Sequence, residues 1–195
     1  MNQQSKIIQL IGDLSIPILG YYFWDWNIYF ILFFYILDVL ISTVFTFVKT
    51  HKINQYQHTN KWPWVHIGLI LFGYIITFYL LYFLIYQIYP KTDLTYQLKE
   101  FMMHKDLGLP QWILLFPLLI FGGYSLYRIT FLMPKTYEKI QVKSLWHEHI
   151  QVFLLIIAVI GLLLGISTWI VFPDWLYVWG VILGSSLYRN LVSRA

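Results

Sequence analysis

Few residues in this sequence could do chemistry, and those few lie in apolar company. Asp38 stands in Tyr35-Ile36-Leu37-Asp38, near the middle of a long hydrophobic run. A carboxyl there is costly to ionise. It marks either a polar path for a proton or cation, or an acid that locks two helices together by a hydrogen bond. Asp13 and Arg128 also fall inside apolar runs, at similar distances from the run ends. Pairing them as a structural ion pair avoids two isolated charges in hydrocarbon. His66 and His149 head two further runs, and with a carboxylate they could hold a metal ion. His147-Glu148-His149 resembles a ligand cluster, but residues two apart on a helix point away from each other. Met102-Met103-His104 is a weaker candidate for copper, because surface-helix methionines usually meet lipid.

Other chemistry is excluded. There is no cysteine, so disulfides, zinc thiolate sites and thiol catalysis are ruled out. The sequence has no phosphate-cradling glycine loop, no Gly-x-Ser-x-Gly, no His-Glu-x-x-His and no selectivity-filter-like run. No catalytic residue and no cofactor are therefore assigned.

The elements that must position these residues follow from hydrophobicity. Of the 195 residues 59% are hydrophobic and 11% are charged, under half the usual charged share, so an ordinary soluble enzyme is not expected. Runs near the 20 residues of a spanning helix occur at Ile7 to Trp24, Trp26 to Val48, Trp64 to Tyr89, Trp112 to Met133, about His149 to Phe172, and Trp175 to about Asn190. The expectation is an all-α, polytopic bundle of six spans in one domain covering 1–195. The first run, with Asp13 and Pro17, is either a span or a re-entrant segment.

Lysine and arginine placement orients the bundle. With both termini in the cytoplasm, about ten basic residues lie inside and only Lys91, Lys99 and Lys105 outside. The net charge of +4 thus reads as a membrane signal, not as a nucleic-acid signal. Residues 91–110 read as an outside helix on the membrane surface, with Leu94, Leu98, Phe101 and Met102 on one face. Residues 134–148 read as an inside basic linker, where Lys135, Lys139 and Lys143 repeat every fourth residue and would face anionic lipid headgroups.

Gly161-Leu162-Leu163-Leu164-Gly165 and Gly180-Val181-Ile182-Leu183-Gly184 are small-xxx-small motifs at matching depths about a turn near Pro173. They predict close packing of the last two helices through these glycines, or the same contact between subunits.

The run Pro17-Ile18-Leu19-Gly20, then Trp26, then Tyr35-x-x-Asp38 resembles the start of an uncharacterised family of bacterial polytopic membrane proteins. That family shows an apolar run ending in Gly, then Trp, then Tyr-Trp-x-Glu-Asn. Trp62-Pro63-Trp64-Val65-His66-Ile67-Gly68 is similar to its His-Tyr-Gly region, and His149 fits its penultimate helix. Asp38 replaces the family's glutamate and Val39 its asparagine. The resemblance implies no activity, but it groups Asp38, His66 and His149. The expected setting is the bacterial cytoplasmic membrane. Three functions are expected in order: a small oligomeric transport or channel-type protein using Asp38; a non-catalytic subunit or pore-forming effector acting through self-assembly or a partner; and an intramembrane metal enzyme using His66 and His149. So few polar residues in the runs could not line a wide pore within one chain.

Overall fold

The computed structural model describes residues 14–59, 62–88, 93–103, 105–106, 109–169 and 173–192. The chain is helical, apart from a two-residue antiparallel bridge between Lys105–Asp106 and Leu109–Pro110. In order come α1 (Leu14–Phe23), α2 (Ile28–Tyr56), α3 (Trp64–Ile88), α4 (Leu94–Met103), α5 (Gln111–Tyr127), α6 (Val142–Ser167) and α7 (Asp174–Val192). A π turn, Arg128–Leu132, extends α5, and a 3-10 turn, Thr136–Glu138, follows it.

Among the described residues four helices are long and apolar enough to cross a membrane: Ile28–Tyr56, Trp64–Leu84, Trp112–Leu132 and Val142–Ser167. The described apolar stretches at the two ends, Leu14–Phe23 and Trp175–Gly184, are shorter. The outward faces are richly hydrophobic, with Leu71, Phe72, Ile75 and Tyr79 of α3 all more than half exposed, as fits a protein whose solvent is lipid.

The core is built around α2. Its first part, Ile28 to Ile36, is buried on every side, the pattern of a helix enclosed by others. It packs against α4, α5, α6 and α7, while α3 lies mainly on α6. Its start is set by Asn27, whose Oδ1 accepts from the Phe30 N–H at 3.0 Å. Just before it, Asp25 takes a left-handed conformation (φ 51°), so the chain doubles back and the Trp26 N–H reaches the Gly20 carbonyl at 3.0 Å. Trp26 covers Gly20, where a Cβ would run into the indole. Trp26 itself is only 1% exposed.

Helix directions follow from the contacts. Thr43 meets His149 and Thr50 meets Trp146, so α2 and α6 are antiparallel. A Cβ at Gly123 would strike Phe45, and Lys49 lies over Phe131, so α2 and α5 are parallel. Gly73 lies under Phe153 and Ser167 donates to Gln87, so α3 and α6 are parallel.

Several expectations need correction. Helix α2 does not stop at Val48. It runs to Tyr56 and ends where His58 turns left-handed (φ 50°) and the Thr59 hydroxyl donates to Asn54 Oδ1. The extra turns persist because Thr50, Ile53 and Asn54 are buried. At 29 residues it is roughly 43 Å long, well beyond the ~30 Å hydrocarbon layer. Helix α6 begins at Val142, not at His149, because Val142, Leu145 and Trp146 are buried in the core beside Ile53, Tyr127 and Phe131. The linker is therefore only the stretch 133–141. Lys135, Lys139 and Lys143 are exposed, but they do not share one helix: Lys135 is left-handed (φ 52°), Lys139 follows the 3-10 turn, and Lys143 opens α6.

Helix α4 docks through Gln97 and Phe101, while Leu98 points outward. Phe101 sits 5.3 Å from the Phe30 ring, 5.6 Å from Phe33 and 6.3 Å from Trp26. Helices α6 and α7 pack together, but not glycine on glycine. Gly184 faces Val159, and Gly180 faces Leu163 at the limit of contact. A Cβ at Gly161 or Gly165 would meet nothing. The close approaches elsewhere are made at Gly73 and Gly123, each under an aromatic ring.

Candidate functional site

Because α6 starts at Val142, His149 lies about two turns inside it and is buried. Its Nε2 is 2.8 Å from Thr43 Oγ1 on α2, and the Tyr74 hydroxyl on α3 is 3.0 Å from the same oxygen. Thr43 also donates to the Val39 carbonyl at 2.8 Å. A hydroxyl has one proton. With that proton given to Val39, Thr43 can only accept, so Tyr74 O–H and His149 Nε2–H are the donors. The arrangement thereby sets the histidine tautomer: Nδ1 is the acceptor nitrogen. One threonine oxygen ties three helices together.

A second polar feature runs along α2. Asp38, Ser42, Thr46 and Thr50 recur every fourth residue, over roughly 18 Å of helix. The Thr46 hydroxyl donates to the Ser42 carbonyl at 2.9 Å and Thr50 to the Thr46 carbonyl at 2.8 Å. Each proton is spent on the helix's own backbone, which satisfies the group locally and leaves its oxygen as an acceptor. Trp146 Nε1 uses the acceptor on Thr50 at 2.8 Å. A four-residue step rotates about 40° around the helix. The stripe therefore turns from the bundle surface, where Ser42 is exposed and Asp38 half-buried, into the core, where Thr46 and Thr50 are buried.

The residues singled out by sequence fall into separate places. Asp38 and His149 are not neighbours in depth. Asp38 is five residues, about 7.5 Å along the axis, from Thr43, the partner of His149. His66 is eight residues, about 12 Å, from Tyr74 on the other side. Among the described residues no group of three or more His, Asp or Glu side chains could hold a metal ion. The metal pairing of His66 with His149 is thus replaced by the hydrogen bonds to Thr43. Arg128 is exposed at the start of the π turn, and Asp13, its expected partner, lies outside the described residues, as does His104.

Sequence reasoning missed Tyr74, Thr50 and Trp146. The Thr43–His149 bond joins residues 106 apart in the chain, and no local spacing encodes that. The four-residue recurrence of Asp38, Ser42, Thr46 and Thr50 was available as a signal.

Among the described residues one small crevice lies inside the bundle. The crevice between α2, α6 and α7, lined by Leu32, Tyr35, Ile156, Val159 and Val181 among others, has about 20 Å³ and an almost wholly apolar wall. That is room for about one water, without the polar partners a water needs.

No family model matches the chain, no curated protein does, and no solved structure does.

Proposed function

We propose that the chain is a small multi-pass membrane protein of the transport or channel type that works as an oligomer, with Asp38 on a polar path between subunits. The observation that carries this reading is the position of Asp38 and Ser42. They sit one turn apart in the middle of the most enclosed helix, Ser42 exposed and Asp38 half-buried, while the crevice between α2, α6 and α7 is small and apolar. An exposed hydroxyl at mid-span is costly against lipid, and a neighbouring subunit that traps water beside Ser42 relieves that cost. In this reading six segments cross, both termini lie on the lysine-rich side, and that side is the cytoplasm of a bacterial cell, where Lys135, Lys139 and Lys143 face anionic lipid headgroups. The parallel and antiparallel relations of α2, α3, α5 and α6 suit four successive crossings with α4 outside the series.

The test is flux of protons and monovalent cations into proteoliposomes. Asp38→Asn is expected to reduce flux to background while the protein still elutes as the same oligomer. Flux equal to that of the original chain would remove Asp38 from the path.

A second reading, assembly with itself or with a partner as the whole function, is favoured by α6. Ala158, Gly165 and Trp169 are exposed, Gly161 is half-buried, and nothing packs on either glycine. Leucine at both Gly161 and Gly165 would disrupt assembly in this reading. In the transport reading through Asp38 and Ser42 it would spare assembly and flux together.

A further inference from the structure

The lysine-rich end of α2 carries a feature that the polar stripe does not use. Lys49 and Lys52, three residues apart, are both half-buried. Lys49 Nζ lies 5.8 Å from the centre of the Phe131 ring, and Lys52 Nζ lies 5.7 Å from the centre of Tyr137. The two rings are 6.0 Å apart, and Tyr56 closes edge-on against Tyr137 at 5.2 Å. The wall is firm: Phe131 is 2% exposed, and Gln57 Nε2 ties the end of α2 to the Ile140 carbonyl at 3.2 Å.

Two ammonium groups are thus held side by side over ring faces. Side chains three apart on a helix are neighbours, so like charges there repel. A ring face attracts a cation but does not neutralise it. Among the described residues neither lysine makes an ion pair with a carboxylate, and Glu148 on α6 is exposed. Such a pair is completed by one anion with oxygens to share between both ammonium groups.

We infer that Lys49 and Lys52, against the Phe131 and Tyr137 rings, form a specific binding site for the phosphate of an anionic phospholipid headgroup. The lipid, not a free phosphate, is indicated by what leads up to the site. Leu40, Val44 and Val48 are exposed apolar residues in four-residue steps along α2, and the next step is Lys52. Ile129 and Met133, also exposed, lie on the turn that carries Phe131. An acyl chain has an apolar track, and the track ends at the cations. The inference is independent of the transport reading; it requires only that these helices stand in a bilayer.

The test uses the full chain in neutral detergent, titrated with phosphatidylglycerol, phosphatidylcholine or inorganic phosphate. Binding is read by native mass spectrometry and by the shift in unfolding temperature. Phosphatidylglycerol is expected to bind and stabilise, and phosphatidylcholine much less. Each lysine near an anionic surface counts for about a fivefold change in affinity, so Lys49→Gln with Lys52→Gln should weaken phosphatidylglycerol binding about 25-fold. Lys139→Gln with Lys143→Gln, on the exposed linker side, should weaken it much less. Should the first pair fail to fold, Lys52→Gln alone, at the end of the helix, should still lose about fivefold, and Lys52→Arg should restore it. Equal losses from the two lysine pairs would mean diffuse surface attraction and overturn the site. Full binding by the Lys49/Lys52 variant would overturn it too. Inorganic phosphate matching the lipid would overturn the lipid as occupant.

Discussion

His149 Nε2 and Thr43 Oγ1 lie 2.8 Å apart, and through that bond α6 is fastened to α2 at a point where α3 also arrives by Tyr74. Thr43→Val keeps the shape and removes the oxygen. It leaves two donors facing apolar side chains, and the expected cost is about 1–2 kcal/mol. Thr43→Ser should recover most of it. Reversible unfolding in mild detergent measures both, and a Val variant as stable as the original would show that the bond contributes nothing.

Besides Gly20 under Trp26, Gly73 and Gly123 are the glycines over which a ring from another helix closes. A methyl group at either would overlap an aromatic ring, Phe153 or Phe45. Gly73→Ala and Gly123→Ala should each destabilise by about 1–3 kcal/mol. Gly161→Ala and Gly165→Ala, where a Cβ meets nothing, should change stability by less than about 0.5 kcal/mol. The same unfolding assay ranks the four, and the reverse order would contradict the packing described.

Trp146 is fully buried and its indole N–H donates to Thr50. Trp146→Phe keeps most of the ring and strands the Thr50 oxygen, at an expected cost of about 1–2 kcal/mol. A compensating Thr50→Val should recover part of that loss, because both polar partners are then gone. A double-mutant cycle checks the pairing, and strict additivity would refute it.

Phe101→Ala should release α4. The ring fills a pocket between Trp26, Phe30 and Phe33, and its removal should cost about 3–5 kcal/mol of docking. Amide exchange should then quicken in Leu94–Met103, with α2 and α6 unchanged. Protection that stays as before would mean that α4 is held some other way.

The sequence makes the four long apolar helices plain, because about 20 apolar residues without charge leave little alternative. It misplaces their ends. Lysine and histidine are compatible with a continuing helix, so charge was a poor stop signal at Lys49 to Lys52, and the start of α6 was hidden in a stretch that reads as polar. It also points to the wrong glycines. Gly161 and Gly165 match a spacing motif, whereas Gly73 and Gly123 are singled out only by the ring that a distant helix lays over each. Asp38 and His149 were visible as polar residues in apolar company. That they belong to different constellations, one along α2 and one across three helices, depends on rotation and register.

Among the described residues the buried Trp26 indole N–H and the Gln97 Oε1 have no hydrogen-bond partner, and the rings around Phe101 hold α4 in place. At the other end, threonine and tryptophan clamp α2 to α6. The two ends of α2 are thus held to its neighbours by different principal contacts, rings around Phe101 at the Trp26 end and the Trp146 hydrogen bond at the Thr50 end. Ring contacts gain mainly from the area they bury and prefer edge-on geometry, while a hydrogen bond across helices is broken or kept. By the magnitudes above, losing the Phe101 ring costs the Trp26 end more than losing one hydrogen bond costs the Thr50 end.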